Sequence, residues 1–268
     1  MYKDKVVIIT GASSGIGWAT AVEFNNNESF VVLAARSIDK LEQLRLELKY
    51  PDKAICVKCD VTIEQECKNL IDQTIYSFGK IDILVNNAGI SMRALFKDLD
   101  LKVIKQLMDV NFWGTVYCTK YALPHILTTN GSIVGVISIA GYKGLPARTG
   151  YSASKFAVYG FLETLRIEHL KDKLHVMIFA PGFTASNIRE SALISDGSAQ
   201  GSTPRDEKGM MSAQECAKHL LNGIRKRRAE VVLTPVGKLL VFLNKFVPRI
   251  VDKLEYNYMK KEANSPLK

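Results

Sequence analysis

At 268 residues, 47% hydrophobic and 24% charged, the chain is long enough to bury a substantial core, with the composition of an ordinary globular domain and not of a disordered chain. Between Arg225 and Lys261 ten Lys or Arg stand against three acids, so this segment carries seven of the nine net positive charges and the rest is near neutral. That distribution argues against a general nucleic-acid-binding surface.

The opening "MYKDKVVIITGAS" has lysines before an apolar run. That run is too short for a signal peptide, and no apolar stretch approaches the roughly 18 residues that span a bilayer. A soluble, cytoplasmic chain is expected. Apolar, β-branched runs then recur along the chain: 5–10, 30–35, 54–59, 81–86, 132–138, 174–180 and 230–234. Segments of helical period lie between them, at 15–27, 38–50, 62–78, 100–128, 151–171 and 212–228, the last opened by a Ser212–Glu215 capping box. Continuous apolar strands alternating with helices predict one α/β domain over 1–268. Its expected form is a doubly wound parallel sheet (a Rossmann fold) of about seven strands with helices on both faces. Ligands then bind beyond the carboxyl ends of the strands.

The first strand runs into "TGASSGIG", Thr10 to Gly17, and then into a helix. Gly11, Gly15 and Gly17 allow a tight turn, close backbone approach to a pyrophosphate and packing of helix on strand. The helix amino terminus adds unpaired N–H groups. Ser13, Ser14 and Ile16 belong to the same turn. A glycine trio alone is a weak signal, but its place between first strand and first helix strengthens it. The second strand ends in Ala35-Arg36-Ser37, where an NAD enzyme usually carries an acid for the ribose 2′-hydroxyl. A guanidinium can fork onto a 2′-phosphate, so Arg36 and Ser37 favour NADP(H) over NAD(H).

"TGYSASKFAVYG" places Tyr151 and Lys155 at i and i+4 on one helix face. A phenol titrates near ~10 and must fall by about 3 units to work near neutrality, about 4 kcal/mol of differential stabilisation. A nearby ammonium and the positive end of a helix both favour the phenolate, so Lys155 is expected to lower the pKa of Tyr151. Small residues at 152–154 leave room for cofactor and substrate.

"TGASSGIG", "CDVT", "NNAG", "YSASK" and "APG", in this order and at these distances, resemble the short-chain dehydrogenase/reductase family over about residues 4–235. The resemblance implies that Asp60 and Val61 lie against an adenine, and that Asn87, Ala88 and Gly89 line the cofactor cleft. It places Pro181, Gly182 and Thr184 beside the nicotinamide amide. It makes Ser138, thirteen residues before Tyr151, the substrate-orienting hydroxyl, although the position before it, often serine in the family, is Ile137. Asn111, in "DVNFWG", becomes the fourth catalytic member, holding a water that links Lys155 to solvent. The implied reaction is NADPH-dependent reduction of a ketone or aldehyde, or the reverse oxidation of a secondary alcohol. A homodimer or homotetramer is implied as well.

After Gly182 a polar stretch of about thirty residues, about 183–211, is expected to be a lid over the substrate, with "SMRALF" (91–96) as the opposite wall. The basic extension at about 236–262, interrupted by Pro248, reads as two short amphipathic helices. They serve either as a peripheral membrane contact or as a flap packed on the domain or another subunit. "ISDGS" with this tail looks like the branch holding lipid and steroid carbonyl reductases, so the substrate is expected to be apolar and lipid-, steroid- or retinoid-like. A 3-oxoacyl carrier-protein reductase is the alternative, and a non-catalytic NADP(H)-binding protein a further one. Cys56 and Cys59 form a C-x-x-C on a strand, where an offset of three sends side chains to opposite faces. The four histidines are scattered, and no metal site is expected.

Overall fold

β1 (Val6–Thr10) carries five buried residues in a row, and its side chains alternate between two cores: Val7 and Ile9 join one cluster, Ile8 the other. The same alternation runs through β2 (Phe30–Ala35), with Val31 and Leu33 on the first face and Val32 on the second. A strand with water on neither side has no reason to alternate apolar with polar. The structure, a computed structural model, describes residues 1–184, 188–203 and 209–268. The expected lid at about 183–211 therefore falls partly on 185–187 and 204–208, outside the described residues.

β3 (Ala54–Lys58), β4 (Ile83–Asn86), β5 (Ser132–Val136), β6 (His175–Ala180) and β7 (Glu230–Val232) complete a seven-stranded parallel sheet in the order β3-β2-β1-β4-β5-β6-β7. The strand order reverses between β1 and β4, and a crevice opens there at the carboxyl ends. α1 (Gly15–Asn26), α2 (Ile38–Glu47) and α7 (Ala213–Arg225) contribute to the first core. α3 (Glu64–Phe78), α5 (Gly114–Thr128) and α6 (Thr149–Glu168) contribute to the second. The expected capping box is formed, with Ser212 Oγ accepting from the Glu215 N–H while the Glu215 carboxylate accepts from the Ser212 N–H. Cys56 packs on the first core and Cys59 on the second, as a three-residue offset on a strand requires.

The segment read as one helix over 100–128 is broken. α4 (Leu101–Leu107) is followed by a π-helical turn, Met108–Trp113, before α5 begins. The wide turn carries Asn111, whose side chain bonds to other elements. Beyond β7, α8 (Pro235–Phe246) and α9 (Pro248–Lys260) are the two short helices expected on either side of Pro248. They pack against each other and are tied to the domain. Lys143 is ion-paired with Asp252, and the Asn244 amide donates to the Tyr142 carbonyl at 3.3 Å.

The amino ends of β1 and β4 are pinned together by one buried carboxylate. Asp82, just before β4, accepts from the Val6 N–H at the start of β1 (2.9 Å) and from Lys5 Nζ (2.7 Å), with Lys80 Nζ at 3.0 Å. Burial alone would raise the Asp82 pKa, but the hydrogen bonds from Lys5, Val6 and Lys80 outweigh it and hold the carboxyl below its ordinary range. A depressed folded pKa stabilises fully above the unfolded value of about 3.9 and is lost as pH falls through the folded one. Asp82→Asn should therefore lower the unfolding free energy at pH 7 by about 1–3 kcal/mol in urea titrations. The difference from the wild type should close as pH falls below the depressed folded-state pKa of Asp82.

Candidate active site

The turn from β1 into α1 is tight enough to exclude side chains. Gly11 sits at φ +67°, and a Cβ on Gly17 would lie 2.2 Å from the Gly11 carbonyl oxygen. Gly17 thus lies behind the turn, where helix meets loop. Ser14, at the N-cap of α1, makes no side-chain cap and the first turn holds no acid. The amino-terminal N–H groups and their partial positive charge are left for an anion.

A cleft of about 380 Å³ opens against this turn. Gly11, Ser13, Ser14, Gly15 and Ile16 form one wall. Arg36 and Ser37, both exposed, close one end, Asp60 and Val61 stand beside them, and Asn87, Ala88 and Gly89 form the floor. Among the described residues Arg36 makes no ion pair, so its guanidinium is available to a ligand. Asp60 is held in place by accepting from Thr62 N–H (3.0 Å) and Thr62 Oγ1 (2.8 Å). The Asn87 amide donates to the carbonyls of Thr10 (2.9 Å) and Gly11 (3.3 Å), and the N–H groups of Asn87 and Ala88 both reach Thr10 Oγ1 at 3.0 Å. The end of β4 therefore fastens the glycine turn. These features fit a dinucleotide: an uncapped helix end for phosphate, a glycine turn with no side chains in the way, and an arginine without an ion pair at the end of β2.

Eight further residues line the cleft outside the expected cofactor set; of these Ala35 precedes Arg36, and Ile188 lies in the segment expected as a lid. Cys59 and Ile90 adjoin the "CDVT" and "NNAG" stretches, so chain neighbourhood could have indicated them. Gln106 and Val110, and Ser191 and Leu193 from the segment expected as a lid, reach the cleft only through tertiary packing. Pro181, Gly182 and Thr184 follow β6 but are not among the residues lining this cleft. Gly182 packs on Thr234, with Cγ2 2.7 Å from where a Cβ would stand. Thr184 is buried and its hydroxyl donates to the Gly182 carbonyl at 3.3 Å.

The four expected catalytic residues come from three pieces of chain. Ser138 follows β5 and caps a short 3-10 turn, accepting from the Ala140 N–H at 3.2 Å. Tyr151 and Lys155 lie in the first two turns of α6, only 9% and 4% exposed. Asn111 is buried in the π turn. Its Oδ1 accepts from the Ile90 N–H (2.8 Å), and its amide donates to the Ile90 carbonyl (3.0 Å) and to Ser154 Oγ (2.8 Å). Gly89 is where the set meets the cleft, since a Cβ there would stand 3.0 Å from Asn111 Oδ1 and 3.2 Å from Lys155 Nζ. Tyr151 also packs in an apolar cluster with Met92, Ala94, Leu99, Val103 and Leu193.

The electrostatics correct one expectation. Burial pushes the Tyr151 phenol up, and neither its hydrogen bonding with Ser138 nor the charge of Arg148 offsets this. Burial also draws Lys155 down to about 8. Its Nζ donates to the Val136 carbonyl at 2.9 Å and lies 5.9 Å from the centroid of the Tyr151 ring. Within the protein alone desolvation exceeds the pull of the ammonium, so Lys155 does not make Tyr151 a strong acid. It leaves a protonated phenol beside an amine that titrates near neutrality.

A family profile described as short chain dehydrogenase matches residues 5–195. The 11-beta-hydroxysteroid dehydrogenase-like 4A of Arabidopsis thaliana is 37% identical over 251 residues, covering 92% of this chain and 82% of that protein. A dehydrogenase/reductase SDR family protein 7-like from Dictyostelium discoideum is 32% identical over 265 residues, covering 96% and 82%. Among solved structures, a short chain dehydrogenase/reductase from Burkholderia phymatum in complex with NAD superposes with a TM-score of 0.83 at 23% identity, over 93% of this chain and 95% of that one. An alcohol dehydrogenase from Thermococcus sibiricus complexed with 5-hydroxy-NADP gives 0.76 at 24% identity, over 86% and 96%. At such identities the superpositions speak to the fold.

In NMR of protein labelled at lysine Cε, one resonance should titrate near pH 8, apart from the bulk lysines at about 10.4. It should be missing from Lys155→Met. A full set of lysines titrating together would show the amine to be solvated.

Proposed function

Because this chain belongs to the short-chain dehydrogenase family, we propose that it is an NADPH-dependent oxidoreductase acting on C=O and CH–OH groups. It reduces a ketone or aldehyde on an apolar, lipid-, steroid- or retinoid-like molecule and reversibly oxidises the secondary alcohol. The observation that carries this reading is the meeting of Ser138, Tyr151, Lys155 and Asn111 beside a cleft built for a dinucleotide. When bound, the nicotinamide supplies hydride to the carbonyl carbon.

The chain's own residues do the rest. Tyr151 gives the carbonyl oxygen its proton, and burial, by holding the phenol protonated, suits it to that role in the reducing direction. Ser138 steadies the same oxygen as negative charge develops. Lys155 holds the nicotinamide ribose and passes a proton on, and an amine titrating at about 8 can both take and release one. Asn111 keeps Gly89, Ile90 and α6 in register around that amine. The glycine turn holds the pyrophosphate, and Arg36 with Ser37 holds the 2′-phosphate. Pro181, Gly182 and Thr184 are the groups next to the nicotinamide amide.

The apolar wall of Met92, Leu99 and Leu193 around Tyr151, and relatives named for hydroxysteroids, support an apolar substrate over a 3-oxoacyl carrier-protein thioester. The C-terminal helices support peripheral membrane contact by a cytoplasmic protein. Val236, Leu239, Phe242 and Phe246 on α8 and Ile250 and Leu254 on α9 are exposed, with Lys238, Lys245, Arg249 and Lys253 among them. No described helix is long and apolar enough to cross a membrane. Exposed Phe156 and Ile167 on α6, with Trp113 before α5, support a homodimer or homotetramer.

Tyr151→Phe should lower kcat for NADPH oxidation over a panel of ketosteroids, retinal and long-chain aldehydes by about 10²–10⁴-fold. NADPH affinity, read by nucleotide fluorescence, should stay at the wild-type value, and a fully active variant would overturn the mechanism. Arg36→Asp should move the ratio of NADPH to NADH efficiency toward NADH by roughly 10–100-fold. An unchanged ratio would remove Arg36 from the cofactor site.

A further inference from the structure

Residues 91–94 are an extended segment that three separate parts of the chain grip. The lid takes hold through the backbone: Arg93 N–H donates to the Leu193 carbonyl at 2.7 Å and Leu193 N–H to the Ser91 carbonyl at 2.9 Å, a parallel bridge of Met92 with Leu193. The loop before α6 takes hold at Ala94, whose N–H donates to the Ala147 carbonyl at 3.2 Å. The C-terminal tail takes hold through a side chain. Arg93 Nη2 donates to Glu262 Oε2 at 3.2 Å and to the Ala263 carbonyl at 2.7 Å.

The arginine and glutamate side chains are only 7% and 6% exposed, although they stand 169 residues apart in sequence. Water cannot replace a partner at such a place, so removing one charge strands the other in a buried setting. Leu193 meanwhile lines the cofactor cleft and packs in the cluster that holds Tyr151. A continuous set of contacts thus runs from the end of the tail, through Arg93, to the lid and the cleft. It passes through one residue whose backbone serves the lid while its side chain serves the tail.

We infer that Arg93 and Glu262 are a positioning pair that couples docking of the C-terminal helices to docking of the lid segment 188–203, and through it to the cofactor and substrate site. Neither residue touches the reacting atoms. When the tail docks, the guanidinium is held, the 91–94 segment keeps its extended course, and Leu193 stays in the wall. When the tail leaves, Arg93 must follow its charge toward water, and the backbone bridge to the lid is lost with it. Lys143 with Asp252 provides a second tie between α9 and the loop after Ser138, so the tail grips both sides of the site. The inference rests on the dinucleotide reading of the cleft only for its consequences in binding and turnover; the coupling of tail to lid stands on the contacts alone.

Hydrogen exchange of the full chain, with and without NADPH, tests it on Glu262→Gln and on the double variant Arg93→Met with Glu262→Met. In Glu262→Gln the amides of peptides covering 91–95 and 190–196 should exchange about tenfold faster or more, while those of β1 and β4 keep the wild-type rate. NADPH should bind about 3–10-fold more weakly, and the KM for a ketone substrate should rise while kcat changes by less than about twofold. The double variant, which leaves no stranded charge, should bring both peptides back to within about threefold of wild type. The coupling is overturned if Glu262→Gln speeds exchange only within 248–268, or if the double variant exchanges as fast as the single one. A wild-type chain that binds no NADPH would overturn the cofactor reading instead, and the exchange rates would still decide the coupling.

Discussion

The side-chain amide of Asn111 reaches pieces of chain that share no secondary structure. It closes two hydrogen bonds onto the backbone of Ile90, just past β4, and one onto Ser154 in the second turn of α6. Because an amide offers two donors and an acceptor at fixed angles, it sets the distance between the floor of the cleft and the face of α6 that carries Tyr151 and Lys155. The π turn at Met108–Trp113 follows from that demand. One added residue in the helical path brings Asn111 inward while α4 and α5 keep their own packing. Gly89, lying against both Asn111 Oδ1 and Lys155 Nζ, leaves no slack between them.

Desolvation then governs the chemistry within this frame. A lysine and a tyrosine one turn apart suggest an ion pair in the making, with the ammonium pulling the phenol down. Burying both groups works against each charged form, and here it dominates. The result is a phenol that keeps its proton and an amine that can change state near pH 8. Such a pair is suited to giving a proton to a substrate oxygen and being restored afterwards. The phenolate needed for oxidation would require further positive charge in the site.

The apolar surroundings of Tyr151 come from parts of the chain whose periodicity is weak. Met92, Leu99 and Val103 approach the phenol from the β4–α4 region and Leu193 from the lid, and the tail fastens this wall from outside through Arg93. Segments of this kind can shift as units when a ligand or a surface engages them.

Much of this was legible in the sequence, for a physical reason in each case. Strands buried on both faces must be continuously apolar, so the central ones stood out, and the edge strands β3 and β7 kept enough apolar residues to be read. A turn that touches a pyrophosphate must be glycine, so the residues from Gly11 to Gly17 marked the crevice, and the offset of three between Cys56 and Cys59 sent them to opposite cores. The break in the segment 100–128 was not legible, because an apolar pattern continues through one wide turn and the backbone bond that changes carries no side-chain signature. The directions of the Tyr151 and Lys155 shifts, and the meeting of Arg93 with Glu262, were not legible either. Local spacing fixes which groups are neighbours on a helix, but burial and contacts across 169 residues of chain exist only once the sheet, lid and tail have closed around them. The sequence by itself determined the fold, the glycine turn and the residue types of the site. Only the tertiary structure decided how far each charge is removed from water, and with it the protonation states and the couplings the site works with.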